Sequence, residues 1–339
     1  MIQAAVVLLL AFLIAGLVTK VLIPLLRKRG VLDIPNERSS HQVPTPRGGG
    51  IGIITGCLAG VVCAWFFGLP LPHFSLFLGA ASIALLGFID DRSGGLPSVI
   101  RFVVQLMAAG LVVFYSGGLP HFPFPSPLDM PLGVLAIPAA MLWIVGVANL
   151  YNFLDGIDGY AGLQGAIAGL AVAFLQPQGS FVAIGCAIAG ACCGFMLHNW
   201  HPAKIFMGDV ASATLGFTFA VLPFQGPLES RSQIVWGMAL CLWFFLADGT
   251  FTMLRRLLRG EKVWEAHRTH LYQRLVKSGL PHNVVTARVM IGAALLACLT
   301  VISIRRDEPK LQWTAFAVAV GAFGLLCGWT ASQEKRGAG

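Results

Sequence analysis

The sequence predicts an all-α polytopic membrane helix bundle with about 11 transmembrane helices, formed as a single domain over residues 1–339. The first observation is composition: 56% of the residues are hydrophobic, 11% are charged, and the mean hydropathy is +0.77. Soluble domains carry roughly 25% charged residues, so this composition indicates a membrane protein. The second observation is a series of long apolar segments, and the third is a bias of basic residues toward one side of them.

The apolar segments approach the roughly 20 residues that a helix needs to cross a bilayer. The first has no basic residue before its apolar core and is followed by Arg27, Lys28 and Arg29, which predicts a retained span rather than a cleaved signal peptide. The eighth is the shortest, and the proline-rich stretch 117–131 predicts an external loop. The segments are 2–25, 49–68, 73–89, 99–117, 131–149, 159–176, 180–198, 211–225, 234–253, 286–304 and 311–331.

The basic residues predict the orientation of the bundle. With the N-terminus outside and the spans alternating, only Arg231, Arg305, Arg306 and Lys310, of 23 Lys and Arg residues, fall on the external side. This distribution follows the positive-inside rule. The formal net charge of +8 is therefore a property of the cytoplasmic face, and topology explains it better than a nucleic-acid partner does.

The cysteines give no sign of a covalent or metal framework. All eight lie singly or adjacent within apolar runs, and none forms a Cys-x-x-Cys pair. Small apolar packing residues of this kind are usual in buried helices. We infer neither a disulfide framework nor a zinc site from them.

Four predicted cytoplasmic loops carry most of the unusual polar residues, which makes them the candidate catalytic loops. They follow the third, fifth, seventh and ninth spans and contain the sequences GFIDDR, NFLDGIDG, NWHPAKIFMGDVAS and AHRTHLYQRL. The candidate residues in them are Asp90, Asp91, Asn152, Asp155, Asp158, Asn199, Phe206, Asp209, His267 and His270. Several carboxylates brought to one membrane face predict a functional cluster rather than charges buried in lipid.

Simpler explanations of these residues stay open from sequence alone. The two Asp-Gly pairs suit tight turns, Asp209 suits the N-cap of the eighth span, and the two His of the last loop suit a solvated face. His198 and His201 flank a tryptophan, and we expect them to pack at the membrane interface.

Two further features allow two interpretations each. Asp248, inside the ninth span, is explained equally by pairing with an arginine and by catalysis. The RGGG sequence at 47–50 is either a break before the second span or a place where backbone approaches a ligand closely.

The chemistry of this residue set favours phosphoryl transfer. Carboxylates without a Cys/His cage favour a hard cation such as Mg²⁺ held together with substrate phosphates, and nearby basic residues suit a phosphate or pyrophosphate. The chain has no GxxxxGK[ST] and no GxGxxG sequence, so a P-loop or Rossmann nucleotide site has no support. A substrate reached at the inner membrane surface is best supplied as a lipid-borne phosphate.

Five motifs in order resemble the polyprenyl-phosphate N-acetylhexosamine-1-phosphate transferases. They are DIPNERSSHQVPTPRGGG (33–50), GFIDDR (87–92), NLYNFLDGIDGYAG (149–162), NWHPAKIFMGDVAS (199–212) and AHRTHLYQRL (266–275). The resemblance implies transfer of a sugar 1-phosphate from a UDP-N-acetylhexosamine to undecaprenyl phosphate, with release of UMP and a requirement for Mg²⁺ or Mn²⁺. It also implies a multi-pass protein of the bacterial inner membrane with a cytoplasmic active site.

The resemblance also implies roles for individual residues. Asp90 and Asp91 correspond to paired aspartates near the lipid phosphate and metal, and Asp209 to a metal-ligating aspartate, so that the implied metal ligands are Asp209 and Asp91. Asn152, Asp155 and Asp158 correspond to residues lining the nucleotide and metal region, and Asn199 and Phe206 to residues near the uridine. His270 corresponds to a histidine that contacts the donor pyrophosphate, and Arg101 to a lysine of relatives beside the lipid headgroup.

The departures from the family pattern bear on the donor. The last loop reads His-Arg-Thr-His where relatives carry adjacent histidines, which argues against UDP-N-acetylmuramoyl-pentapeptide and favours the O-antigen-initiating branch, whose sugars are often 6-deoxy. The role of His267 is open, as are a homodimer and the choice between single displacement, which we favour, and an aspartyl-phosphate route. A secondary transporter is the alternative function, but transporters place their carboxylates near the midplane, often within repeats.

Overall fold

A computed structural model describes residues 1–35, 43–176, 180–262 and 267–337 of the chain. Two of the five motifs are only partly described. Residues 36–42 of the 33–50 motif and Ala266 of the 266–275 motif lie outside the described residues. Leu32–Asp33 (β1) and Thr45–Pro46 (β2) form one short antiparallel pair. The helices are α1 Ile2–Lys28, α2 Gly50–Phe66, α3 Phe74–Ser93, α4 Ser98–Ser116, α5 Ala136–Phe153, α6 Tyr160–Leu175, α7 Ser180–Asn199, α8 Asp209–Val221, α9 Leu228–Cys241, α10 Trp243–Leu258, α11 Leu271–Lys277, α12 His282–Arg306 and α13 Pro309–Gly337.

The structure confirms the all-α polytopic membrane bundle, but it assigns fewer full spans than the sequence did. Within the described ranges, seven helical segments are long and apolar enough to cross a bilayer, or eight if α9 and α10 together form one span. Each predicted apolar segment coincides with at least one helix. Helices α2, α6 and α8 have only 17, 16 and 13 residues, and at about 1.5 Å per residue they are shorter than the ~30 Å hydrocarbon core.

The ninth predicted segment, 234–253, is not one straight helix. The chain bends by 79° where α9 gives way to α10 at Leu242. The expectation of a continuous span is therefore wrong here. Leu254 and Leu258 on the outer side of α10 are exposed, and the chain continues from α10 toward His267 and His270.

Small residues allow the central helices to pack closely. A methyl group added at Gly60 would lie 2.7 Å from the Ala187 side chain, and one added at Gly56 would lie 2.7 Å from the Ala11 carbonyl oxygen. Such contacts bring α1, α2 and α7 together, as is usual where packing rather than the hydrophobic effect drives helix association in a bilayer. The exposed leucines of α1, such as Leu13 and Leu17, form an outer apolar face suited to lipid.

Helix α8 is the element that positions the candidate site. All its residues from Val210 to Val221 are buried, and it packs mainly against α3 and α5. Its first residue, Asp209, therefore meets the last turn of α3, which carries Asp90 and Asp91, and the loop that follows α5, which carries Asp155 and Asp158.

Candidate active site

The carboxylate of Asp91 binds the N-terminus of α8. Its Oδ1 accepts the backbone N–H of Asp209 at 3.0 Å, and its Oδ2 accepts the N–H of Val210 at 3.2 Å. The N-cap residue of α8 is Gly208, and Asp209 is its first helical residue, so the idea that Asp209 itself is the N-cap is wrong. Asp91 satisfies these helix N–H groups from another helix, which leaves the Asp209 carboxylate available to the site.

Two glycines permit this approach of α3 to α8. A methyl group added at Gly87 would lie 2.5 Å from the backbone carbon and oxygen of Asp209. Gly208 has φ of 75°, a conformation that glycine adopts readily, and any side chain there would overlap the Asp91 carboxylate. The absence of side chains at both positions therefore allows Asp91 and Asp209 to lie in contact.

Arg47 joins the two aspartates, and it was not among the site residues predicted from the sequence. Its Nε lies 2.7 Å from Asp91 Oδ1, and its Nη2 lies 2.8 Å from Asp209 Oδ1. Burial lowers the pKa of Arg47, but the charges of Asp209 and Asp91 outweigh it, and the pKa rises above its ordinary value. The RGGG sequence at 47–50 was the available signal.

The glycine run forms the start of α2, with Gly49 as its N-cap, so it is the break before the second span, and it also lies close to neighbouring protein backbone. The N–H groups of Gly49 and Gly50 donate to the carbonyls of Phe206 and Met207, both at 2.8 Å. The loop before α2 is thereby fastened to the strand-like segment before α8. Phe206 is thus fixed beside Arg47, and its expected contact with uridine stays a prediction.

Arg101 of α4 reaches the same carboxylates from the opposite side. Its Nη1 lies 3.4 Å from Asp209 Oδ2 and 4.0 Å from Asp90 Oδ2. Asp90 is buried, and its Oδ1 accepts the N–H of Leu96 at 2.6 Å. Arg101 therefore lies between Asp90 and Asp209, and its expected position beside the lipid headgroup stays a prediction.

Asp155 adds a fourth carboxyl to this group. Burial, then the charges of Asp209 and Asp91, raise its pKa from about 3.8 to about 7, although Arg47 opposes the change. Within the described residues its carboxyl makes no hydrogen bond or ion pair, in contrast to Asp90, Asp91 and Asp209. Four carboxyls against two guanidiniums leave an excess of negative charge and oxygen donors, which fits a hard divalent cation.

An apolar cavity of about 770 Å³ begins at these charged residues. Asp90, Arg101, Asn152 and Asp209 line its polar end, and Asn152 Oδ1 accepts a hydrogen bond from Ser212. The rest of the lining is largely apolar and comes from α3, α4, α5 and α10, including Ile83, Leu86, Val99, Phe102, Met141, Leu142, Val145, Met253 and Leu254. Because Val99, Phe102, Leu142 and Leu254 are also exposed, the cavity opens onto the outer apolar surface of the bundle.

Asp158 belongs to a different group of contacts. Its Oδ2 lies 2.6 Å from His201 Nδ1 and accepts the Ala203 N–H at 3.2 Å, and its Oδ1 lies 3.3 Å from His282 Nδ1. Burial raises the pKa of Asp158, but its bonds to His282 and His201 outweigh this, and the pKa falls below its ordinary value. His201 therefore pairs with a carboxylate, and the expectation that it serves only interfacial packing is wrong.

Asn199 and His198 have contacts that connect elements. Asn199 is buried; its Oδ1 accepts the Gly159 N–H at 3.0 Å, and its Nδ2 donates to the Ile205 carbonyl at 2.8 Å. His198 Nε2 lies 3.1 Å from the Gly16 carbonyl of α1. These bonds hold the loop before α8 against the loop after α5, and they occupy much of the hydrogen-bonding capacity of Asn199.

Among the residues that the structure describes, Asp248 forms no ion pair with an arginine, which was one of the two roles expected for it. It is fully buried, and its carboxylate accepts the N–H groups of Leu271 at 2.9 Å and Tyr272 at 3.4 Å. Its Oδ1 also lies 3.5 Å from Nδ1 of His270, the N-cap residue of α11. Asp248 therefore fixes the start of α11, which is a positioning role that neither expectation included.

The two histidines of this loop lie together near the other candidate residues. The His267 and His270 rings are 4.8 Å apart, and the Tyr272 hydroxyl donates to the Phe153 carbonyl at 3.4 Å. Burial, then the neighbouring His270 and Arg256, lower the pKa of His267 to about 4. At neutral pH, His267 is therefore uncharged. The α11 start thus adjoins the loop that carries Asp155.

Comparison with known proteins identifies the family of this chain. The profile of Glycosyl transferase family 4 matches residues 73–226, which include Asp90, Asp155 and Asp209. A probable undecaprenyl-phosphate N-acetylglucosaminyl 1-phosphate transferase of Bacillus subtilis is 31% identical over 284 residues, which cover 81% of this chain and 78% of the relative. The decaprenyl-phosphate N-acetylglucosaminephosphotransferase of Mycobacterium tuberculosis is 29% identical over 337 residues, with 86% and 80% covered.

A second kind of relative is also similar. A phospho-N-acetylmuramoyl-pentapeptide-transferase of Halalkalibacterium halodurans is 32% identical over 257 residues, which cover 68% of this chain and 77% of the relative. These similarities extend over most of the chain. The protein is therefore a multi-pass membrane protein that belongs to glycosyl transferase family 4.

Proposed function

We propose that this protein transfers an N-acetylhexosamine 1-phosphate from a UDP-sugar to undecaprenyl phosphate and releases UMP. The observation that carries the proposal is the apolar cavity that ends at Asp90, Arg101 and Asp209. A long isoprenoid chain needs an apolar channel open to lipid, and its phosphate needs a cationic group at the inner end. The names of the relatives from Bacillus subtilis and Mycobacterium tuberculosis include a polyprenyl phosphate of this class.

The acceptor phosphate fits the polar end of the cavity. Arg101 lies between Asp90 and Asp209 and offers guanidinium donors suited to phosphate oxygens. Asp90 faces that position from α3. A phosphate monoester is already largely ionised at pH 7, so we assign Asp90 to positioning rather than to proton removal.

A divalent cation, Mg²⁺ or Mn²⁺, fits the carboxylate cluster. When bound, it supplies neutralisation of the phosphate charges that develop during transfer. We assign Asp209 and Asp155 as its protein ligands, because the Asp155 carboxyl has no hydrogen bond or ion pair within the described residues. The two Asp91 oxygens already accept two backbone N–H groups and the Arg47 guanidinium, so Asp91 serves as a support of Asp209 rather than as a ligand.

The donor approaches from the side of the Asp155 loop. Asp209 lines the apolar cavity, whereas Asp155 lies outside its lining, so the Asp155 loop is the part of the cluster that the lipid does not cover. Arg47, beside Asp209, and the His267–His270 pair supply hydrogen-bond partners for a pyrophosphate.

The reaction in this arrangement is a direct displacement. An oxygen of the acceptor phosphate forms a bond to the sugar-linked phosphorus of the donor. The bond from that phosphorus to the bridging oxygen breaks, and the electron pair leaves with UMP. Arg47 and Arg101 hold the charged groups in line and stabilise the charge that develops on them.

The sugar and the pathway are finer parts of the proposal. Two of the relatives are named for N-acetylglucosamine, and one for N-acetylmuramoyl-pentapeptide. The His-Arg-Thr-His sequence favours an N-acetylhexosamine that carries no peptide, and this class includes 6-deoxy sugars. It would be the first sugar of O-antigen or another surface polysaccharide. We place the site on the cytoplasmic side of a bacterial inner membrane, with the N-terminus outside.

The test is UMP release by purified protein in detergent. The reaction contains undecaprenyl phosphate, Mg²⁺ and a panel of UDP-N-acetylhexosamines, with EDTA, lipid-free and Asp209→Asn controls. Release that requires both lipid and metal, and that Asp209→Asn abolishes, is the expected result. If folded protein is silent with every donor, the proposal fails, and the secondary transporter becomes the better explanation.

A cavity-filling variant separates lipid binding from donor binding. Gly146 lines the cavity, and a Cβ added there meets no heavy atom within 4 Å. Gly146→Leu should raise the KM for undecaprenyl phosphate and leave the KM for the UDP-sugar unchanged. Equal effects on both substrates would contradict the assignment of the cavity to the lipid.

A further inference from the structure

Asp158, His201 and His282 form a compact group outside the Asp90–Asp209 cluster. Their three potential ligand atoms all lie within 4.8 Å of one another. Asp158 and His282 are buried, and about a third of the His201 side chain is exposed. The three residues come from the loop after α5, the loop before α8 and the first residue of α12, so the chain brings them together only in the folded protein.

The surrounding hydrogen bonds fix this group in place. The Ala203 N–H donates to Asp158 Oδ2 at 3.2 Å, and Thr286 Oγ1 donates to the Asp158 carbonyl at 3.0 Å. The next residue, Gly159, donates its N–H to Asn199 Oδ1 at 3.0 Å. Such secondary contacts orient metal ligands in known sites and raise their affinity.

The donor set indicates the class of ion. One carboxylate with two imidazoles is a common ligand set for Zn²⁺ and related divalent transition metals, with a further position left for water. Mg²⁺ prefers oxygen ligands and suits this group poorly. The exposed edge of His201 provides a route for the ion from solvent.

We propose that Asp158, His201 and His282 bind one divalent transition-metal ion of the Zn²⁺ class, at a site separate from the carboxylate cluster. The bound ion would join the loop that carries Asp155 to the segment before α8 and to α12. Its role is to hold the Asp155 loop in position. The proposal concerns metal binding by these three residues and does not depend on the proposed transfer reaction.

The test measures Zn²⁺ and Co²⁺ binding by untagged, chelator-treated protein in detergent, with excess Mg²⁺ present to occupy the carboxylate cluster. We expect one Zn²⁺ per chain and a visible Co²⁺ spectrum typical of nitrogen and oxygen ligands. His201→Gln and His282→Gln should each weaken Zn²⁺ binding at least about tenfold. The matched control is His198→Gln, whose ring contacts the Gly16 carbonyl instead, and it should bind as wild type does.

Two further variants make the result decisive. Asp209→Asn should keep the Zn²⁺ site even though it abolishes transfer, which separates failure of this proposal from failure of the proposed function. His267→Gln should also keep it. Absence of Zn²⁺ binding by folded wild-type protein, or binding that His267→Gln removes and His201→Gln leaves intact, would overturn the proposal. Thermal unfolding without metal shows whether each variant is folded.

Discussion

Asp91 accepts the backbone N–H of Asp209 at 3.0 Å, so the second aspartate of the pair supports the third aspartate of the site. Its neighbour Asp90 faces the cavity and Arg101 instead. Two adjacent and chemically identical side chains therefore have different roles, set by which helix each one meets. Asp91 holds the start of α8, and Asp90 faces the place we assign to the acceptor phosphate.

The two roles predict different consequences for Asp91→Asn and Asp209→Asn. In Asp91→Asn, an amide replaces an oxygen that accepts a helix N–H, and the ion pair with Arg47 is lost. We expect this variant to lower both the rate of UMP release and the thermal stability, by about 0.5–2 kcal/mol as for the loss of a helix cap. Asp209→Asn should abolish release and lower the thermal stability less than Asp91→Asn does, because it leaves in place the two bonds from Asp91 to the backbone of α8.

Parallel assays of UMP release and thermal unfolding distinguish these outcomes. If Asp91→Asn melts as wild type does but releases no UMP, Asp91 takes part in the transfer reaction rather than in holding the start of α8. The stability loss is the feature that a purely catalytic residue would not show.

The close approach of α3 to α8 predicts that Gly87→Ala is severe. The added methyl group would lie 2.5 Å from backbone atoms of Asp209, which cannot rotate away as a side chain can. The helices must separate, and we expect UMP release to fall by about tenfold or more, since misplacement of a catalytic group by about 1 Å costs on the order of 100-fold.

Gly110→Ala is the matched control for this substitution. Gly110 lies in α4, and a methyl group there has only Met141 Cε at 4.0 Å. Alanine favours helix over glycine by about 1 kcal/mol, so this variant should be active and at least as stable as wild type. Equal activity of the two variants, measured at matched protein amounts, would show that the Gly87 contact does not position Asp209.

Local sequence predicted the helices and the place of the site, but not the contacts between distant parts. The apolar segments and the Asp-rich motifs are local signals, and they indicated the loops that carry Asp90, Asp155 and Asp209. The bend at Leu242 had no such signal, because residues 238–247 are continuously apolar and contain neither proline nor glycine. A uniform apolar run therefore predicted one straight helix.

Contacts between remote residues explain the other differences. Arg47 is 162 residues from Asp209, and Asp158 is 124 residues from His282. Which of several cytoplasmic charges will meet depends on how the helices pack. Asp248 illustrates the same point: its position inside an apolar run indicated importance, but its role as the partner of the α11 N–H groups depends on the bend before it.

The raised pKa of Asp155 predicts a pH-dependent stability of metal-free protein. The pKa is about 7 in the folded state and about 3.8 ordinarily, so the folded protein binds the proton more tightly. Stability is then full below about pH 4 and falls as the pH rises toward 7 and above. In EDTA, Asp155→Asn should melt a few degrees above wild type at pH 8, and this difference should be clearly smaller at pH 5.

Mg²⁺ provides the second half of this measurement. It should stabilise wild type at pH 8 by binding the ionised Asp155, and it should stabilise Asp155→Asn much less. Identical melting profiles of the two proteins from pH 5 to pH 8 in EDTA would show that Asp155 titrates in its ordinary range. An equal response to Mg²⁺ would remove Asp155 from the cation ligands.

The contacts of Asp248 predict that the position of the His267–His270 loop depends on this carboxylate of α10. Its oxygens accept the Leu271 and Tyr272 N–H groups and the Thr252 hydroxyl, all in the buried interior. Asp248→Asn replaces one accepting oxygen with a donor, which leaves a buried N–H without a partner. The cost of such a group is about 1–3 kcal/mol, so the variant should melt lower than wild type and allow faster proteolysis within residues 259–270. Because the loop also adjoins Phe153 through Tyr272, UMP release should fall as well.

The control for this variant is Asp307→Asn. The exposed carboxylate of Asp307 accepts only the Gln233 side chain among the described residues, so this substitution should leave melting, proteolysis and release unchanged. If Asp248→Asn loses release while its melting and its cleavage pattern match wild type, Asp248 acts on the substrate rather than on the loop.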